Sequence, residues 1–240
     1  MLEIWERESG NIKTFKCPFE RLEYDAVFGP GGNIPKSKSE GHLRYAKPDK
    51  GMFRIDEIRY YDAESREWKP RENDPGEHWV CDGASVYEYN AAKKQLIVRE
   101  LPPDQRGTAI ADGPLPFLFG AKRKKLRQRY FMRITQVTDS QIWLVAYPRT
   151  ARDAASYRYV ELILDREKFL PAALQVYLPG GKSRTVYVFG DARINDPLSM
   201  FGGVFLKPRT PLGWKKVIEK IPTGPTHQAS RPGAPAAAPR

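Results

Sequence analysis

Residues Glu77 to Glu100 read EHWVCDGASVYEYNAAKKQLIVRE, and the fold turns on how this stretch is arranged. Asp82-Gly83 lies between two β-rich runs, where a two-residue turn needs positive φ, and Asn90 to Lys93 marks a second reversal. Three short antiparallel strands result. With Asp82-Gly83 as the first loop, Val80 faces Ser85 and His78 faces Tyr87. With Ala91-Ala92 as the second, Tyr87 faces Leu96 and Ser85 faces Val98. One face then carries Val80, Tyr87, Tyr89, Leu96 and Val98, and the other a mixed set of Trp79, Val86, Glu88, Gln95, Ile97 and Arg99. The more apolar set is expected to face a dry interior.

Upstream, Leu2, Trp5 and Ser9 share a helical face that stops at Gly10-Asn11. Thr14 to Phe28 is β-like, with Pro18 implying an edge or a bulge. Gly29 to Ser39 is a loop, His42 to Ala46 a strand, and Met52 to Tyr61 its hairpin partner; Trp68 to Gly76 is a polar connection.

Downstream, prolines 102, 103, 114 and 116 exclude a regular strand between Leu101 and Gly120. Asp112 is placed to cap a short helix carrying the apolar group Leu115, Phe117, Leu118 and Phe119, and Ala121 to Tyr130 continues as a second helix. This insert is either a helix packed permanently on the sheet or a movable lid. Phe131 to Val137 and Gln141 to Tyr147 form a hairpin, with Trp143 and Val145 opposite Ile142 and Leu144. Tyr159 to Asp165, Phe169 to Leu178 and Ser183 to Gly190 follow, the last two joined at Gly180-Gly181 so that Leu174, Val176, Tyr187 and Phe189 share a face.

The fold class is therefore mainly β with a helical insert: a strongly curved, unclosed antiparallel sheet, a half-barrel covered by short helices. The 240-residue chain, 40% hydrophobic, can bury a substantial core. It reads as one domain over residues 1–220 and a Pro/Ala-rich tail over 221–240 that lacks the apolar content to fold.

Net charge is +11, and Lys122, Arg123, Lys124, Lys125, Arg127 and Arg129 fall together without an acid. Such a run suits an anionic membrane surface, nucleic acid or a solvated face; no RNA-binding or zinc-finger signature accompanies it, so no nucleic-acid partner is expected. Cys17 and Cys81 allow one disulfide without requiring it, and with His42 and His78 they make no metal-ligand pattern. Neither a nucleophile elbow nor a phosphate-cradling loop occurs, so no catalytic residue, metal or cofactor is assigned. No apolar run is long enough to span a bilayer, and the first residues, MLEIWE, lack the features of a secretory signal.

The order of these motifs resembles the bacterial outer-membrane lipoprotein carrier family, with its LolA/LolB-like fold. The resemblance covers Leu2 to Val217. It rests on the terminal helix leading into Phe15 to Glu20, on Gly41 to Tyr45 with Lys47-Pro48, and on Cys81-Asp82-Gly83 with Val86 to Asn90. The Pro114 to Phe119 segment, Trp143 to Pro148, Ile163 to Asp165 and Asn195 to Leu198 continue the order. The resemblance implies a non-catalytic, monomeric binder of the acyl chains of a lipoprotein or lipid, carrying them through the periplasm to or from a membrane-associated release or acceptor protein. It assigns Leu115, Phe117, Leu118 and Phe119 to a lid, Val80, Tyr87, Tyr89, Leu96, Val98 and Trp143 to the cavity wall, and Lys47 to holding the lid. Periplasmic carriage requires export, and the true start of the protein is accordingly expected to precede Met1. The alternative is an envelope protein-interaction or sensing module on the same fold, its interior filled by side chains.

Overall fold

The computed structural model describes residues 1–31, 33–71, 75–103, 106, 117, 122–197 and 204–220. Helix α1 (Leu2–Asn11) leads into β1 (Thr14–Asp25), β2 (Ser37–Ala46) and β3 (Lys50–Asp62). The short strands β4 (Glu67–Pro70), β5 (His78–Cys81), β6 (Ser85–Asn90) and β7 (Gln95–Glu100) follow. Helix α2 (Arg123–Arg129) runs directly into β8 (Tyr130–Val137), which pairs with β9 (Gln141–Pro148). After α3 (Ala151–Ser156) come β10 (Tyr159–Asp165), β11 (Pro171–Tyr177), β12 (Ser183–Phe189), β13 (Arg193–Ile194) and β14 (Lys215–Lys220).

The described strands form one sheet in the order β14-β7-β6-β5-β3-β2-β1-β12-β11-β10-β9-β8, with β4 on β3 and β13 on β1. β14 joins β7 in parallel, whereas the hairpins pair antiparallel. β14 and β8 stand at opposite ends, so the sheet is a curved, unclosed half-barrel of the kind the alternation predicted.

One face of this sheet carries the core. Leu144 pairs with Leu162, Leu162 with Leu174 and Leu174 with Tyr187, a continuous row across four strands. Trp5 of α1, Leu126 of α2 and Phe117 are buried against this row, so the two helices cover the same face. The apolar surface continues through Phe15, Cys17, Phe19, Leu43 and Phe53, with Tyr187 and Phe189 packing against both clusters. Burial of each large apolar side chain contributes about 1.5–3 kcal/mol, so the row outweighs the weak helical propensity of the short α1 and α2. On the opposite face, Tyr147, Tyr159 and Tyr177 form a ladder, the first pair tilted at 5.4 Å and the second stacked at 4.1 Å between ring centroids, and Arg184 lies 3.9 Å over Tyr24 beyond it.

Several expectations need correction. Both central turns are longer than predicted: the pairs are Cys81–Val86 and Asn90–Gln95, which moves Val80 opposite Tyr87 and Tyr87 opposite Val98. Asp82 accounts for the first, because its Oδ1 accepts the amides of Ala84 and Ser85, each at 2.8 Å. Asn90 Oδ1 similarly accepts the Lys93 amide at 3.0 Å. Each register moves by two residues, so side chains keep their predicted faces. The Gly180-Gly181 turn sets Leu174 opposite Tyr187, on the face they were expected to share, and both glycines have positive φ.

Pro18 lies in the middle of the sheet, in regular register opposite His42, instead of at an edge or a bulge. Its carbonyl accepts the Gly190 amide at 2.9 Å, so its missing N–H points to the same side, where β12 has ended and β13 has not begun. No ladder bond is lost there. Trp68 belongs to β4, against Tyr61, and not to an irregular connection.

Cys17 and Cys81 are both free and fully buried, on β1 and β5 with β2 and β3 between them. Three interstrand spacings separate their backbones by about 14 Å, twice the reach of a disulfide. Burial pushes each thiol up to about 11. The proposed helix cap Asp112 and the tail over 221–240 lie outside the described residues.

Candidate functional site

The expected cavity-wall residues divide from the helix-covered face. Phe53 pairs with Trp79, Trp79 with Glu88 and Glu88 with Ile97 on the core side. Val80, Tyr87, Tyr89, Leu96 and Val98 alternate with these and project from the other side. There Tyr87, Leu96 and Val98 make a small separate core, with Tyr89 packed against it. Tyr87 donates to Asp82 Oδ2 at 2.8 Å, and Tyr89 lies between His78 (4.2 Å) and Trp214 (6.2 Å). Trp143 is also on the far side, 37% exposed, its Nε1 donating to Gln141 Oε1 at 3.1 Å. These six residues therefore do not wall the space beneath α1 and α2. The alternation was right, but which face the helices would cover is set by pairings far away in sequence.

Of the proposed lid, Phe117 is buried against Tyr130, ring centroids 4.9 Å apart, within the core beneath α2. Leu115, Leu118 and Phe119 lie outside the described residues. Lys47 reaches the C-terminal end of α1, where Nζ donates to the carbonyl of Gly10. A cation at this end of a helix is favourable, and the contact ties the β2–β3 turn to α1.

The basic run divides by helical position. Leu126 is buried, and Arg129 turns inward to a two-bond pair with Asp153 of α3, at 2.6 and 3.1 Å. Burial alone would raise the Asp153 carboxyl, but the hydrogen bonds and charge of Arg129 outweigh it and hold it below the usual carboxylate range. Thr150 caps α3 by accepting the Asp153 amide at 3.1 Å, and the hydroxyls of Tyr130 and Tyr157 meet at 2.5 Å beneath. Burial, then the Tyr130 hydrogen bond, pushes the Tyr157 phenol far up. Lys122, Arg123, Lys124 and Arg127 remain exposed and Lys125 is half-buried.

Two cavities open beside α2. One, of about 560 Å³, is bordered by Met1 and Leu2 of α1 and by Met132, Ile134 and Leu144, with Glu3, Arg123, Arg127 and Arg133 around it. The other, of about 620 Å³, is lined by Arg123, Lys124, Arg127, Gln128 and Arg149. They share Arg123 and Arg127. Both volumes fall in the range of about 300–1,000 Å³ typical of small-molecule sites. Met1, Leu2, Met132, Ile134 and Arg149 were not assigned to a site from sequence. The alternation of Tyr130, Met132 and Ile134 on one face of β8 was the available signal.

Among the described residues, no group of three or more His, Cys, Asp or Glu is placed to hold a metal ion, and no helix is long and apolar enough to cross a membrane. No protein-family model and no curated protein matches the chain. Among solved structures, it is similar to an uncharacterized conserved protein from Thermus thermophilus, at 11% identity and TM-score 0.49, covering 90% of this chain and 98% of that one. It is also similar to a LolA superfamily protein from Nitrosomonas europaea, at 12% identity and TM-score 0.36, covering 83% and 96%. A third is a putative outer membrane lipoprotein-sorting protein domain from Vibrio parahaemolyticus, at 12% identity and TM-score 0.33, covering 82% and 92%. The family whose motif order the sequence resembles is thus among these structures.

Proposed function

We propose that this chain binds the acyl chains of a lipid or lipoprotein, without catalysis, at the end of the half-barrel formed by α1, α2 and β8. The supporting observation is the cavity of about 560 Å³, where Met1, Leu2, Met132, Ile134 and Leu144 offer apolar area next to exposed guanidinium groups. An acyl chain requires such area, each buried methylene contributing about 0.8 kcal/mol. Methionines suit the role because their flexible side chains fit irregular apolar ligands. Carriage through the periplasm, with a membrane-associated release or acceptor protein and a monomeric carrier, is the form of this function we favour. Phe117 serves it as a fixed part of the core beneath α2, and the lid role extends to Leu115, Leu118 and Phe119.

The test is a titration with a fluorescent acyl probe, competed by a lipidated peptide and its unlipidated twin. Ile134, 44% exposed, tolerates replacement without loss of the core. Ile134→Glu should weaken probe binding about ten-fold or more, while Trp143→Ser on the opposite face should leave it unchanged. Absence of saturable binding by the wild-type chain refutes the proposal. The protein-interaction or sensing reading then takes its place, supported by Phe131, Trp143 and Tyr147, which are 61%, 37% and 46% exposed.

A further inference from the structure

We infer that the bound amphiphile is a phosphate-bearing anionic lipid, its headgroup held by Arg123, Lys124, Arg127 and Arg149 in the cavity adjoining the apolar one. This rests on the acyl-binding reading and specifies its ligand.

Three observations lead there. The two cavities share Arg123 and Arg127, so an amphiphile with its tail among Met132, Ile134 and Leu144 places its head among the cations. Among the described residues, no carboxylate lines the basic cavity, and Lys124 and Arg127 form no ion pair. Arg149 is held in place: its Nη1 donates to the Arg127 carbonyl at 2.8 Å, and its guanidinium lies 4.2 Å over the Phe131 ring. Guanidinium groups fixed in this way can donate paired hydrogen bonds to phosphate oxygens without first losing side-chain freedom.

Helical geometry strengthens the case. Arg123 and Arg127 are four residues apart, as are Lys124 and Gln128, so they form one surface while Leu126 and Arg129 turn to the core. Like charges at that spacing repel each other, a cost that a bound anion removes. A merely solvated basic face would not gather Arg149 from the end of β9 to the same cavity. Among the described residues lining the two cavities, the carboxylate is Glu3, which pairs with Arg123 at the margin of the apolar one. It competes with a ligand for that guanidinium.

The experiment displaces the fluorescent acyl probe with lysophosphatidic acid, with lysophosphatidylcholine of the same chain length, and with glycerol 3-phosphate, all as monomers. Lysophosphatidic acid should compete about ten-fold or more better than lysophosphatidylcholine at low ionic strength, and the ratio should shrink as salt is added. Lys124→Glu with Arg149→Gln should bring the ratio near one, and Glu3→Gln should raise it. Equal competition by the two lipids, with the probe still bound saturably, overturns the headgroup assignment and leaves acyl binding intact. No saturable probe binding overturns acyl binding itself. Displacement by glycerol 3-phosphate as effective as that by lysophosphatidic acid assigns the cavity to a soluble phosphate and overturns the lipid. Charge-dependent binding to anionic vesicles, with no preference among monomers, assigns the cations to a membrane surface and likewise overturns it.

Discussion

Replacing Asp153 by alanine tests whether the inward half of the basic run sets the position of the outward half. Asp153 is 6% exposed and accepts two bonds from Arg129 at 2.6 and 3.1 Å and one from the Thr150 hydroxyl at 2.9 Å. Its loss removes the carboxylate that faces a guanidinium largely covered beside Tyr130. Breaking a fully buried pair costs about 3–5 kcal/mol. The Arg129 side chain keeps 24% of its exposure, so water takes over part of its solvation, and about 2–3 kcal/mol is the expected loss. Urea denaturation of Asp153→Ala, Arg129→Ala and the double variant measures the coupling, and the midpoints should move with unchanged slope. The carboxyl lies below its unfolded value, so the contribution is complete above about pH 4 and is lost as pH falls through the depressed folded pKa. A coupling below about 0.5 kcal/mol at pH 7 would refute the reasoning.

Two further substitutions probe the sheet. A Cβ on Gly41 would collide with the Arg54 carbonyl oxygen and lie 2.8 Å from Phe19 Cζ, so Gly41→Ala should destabilise by more than about 3 kcal/mol, read from a thermal or urea midpoint. His78 is held neutral down to about 4 by burial and by the Arg54 and His42 charges. The unfolded chain therefore takes up this proton first, and stability should fall as pH drops from about 6.5 towards 4. His78→Phe, which keeps the stack on Tyr89, should flatten that part of the pH–stability curve, and an unchanged slope would count against it.

Most strand positions and side-chain parity were legible because alternation is local: Leu174 and Tyr187 share the core face, and Tyr87, Leu96 and Val98 share theirs; β4 and β14 were not. Register was less so. Asp82 and Asn90 each bond backbone amides beyond a two-residue loop, a choice that the bare turn dipeptide does not reveal. The assignment of Tyr87 and its neighbours to the cavity failed for a different reason. An apolar face can be dry without being the face that α1 and α2 cover, and the β3–β5 pairing that settles it links residues far apart. Pro18 looked like an edge or bulge residue because the gap between β12 and β13 lies far along the chain from it. Arg149 escaped notice for the same reason: it reaches α2 only once β8 and β9 have paired.

The end of the sheet bears on where the proposed site lies. β8 pairs with β9 alone, and such an edge invites association with other chains unless charge, a bulge or a cover protects it. Here a register shift between Ile134 and Gln136 distorts the edge, and Arg133 adds charge to it. Yet Phe131, Ile134 and Val137 remain 61%, 44% and 52% exposed, an apolar load that a protected edge strand would ordinarily shed. The α1 and α2 helices cover the neighbouring core, while Ile134 stays 44% exposed and, with Met132, borders the open cavity. An acyl chain lying there would cover Ile134 while its headgroup engaged the cations of α2. On the proposed reading the same distribution of residues would serve both ends: Met132 and Ile134 would give the ligand its binding area, and the charges beside them would discourage a second copy of the chain from taking its place.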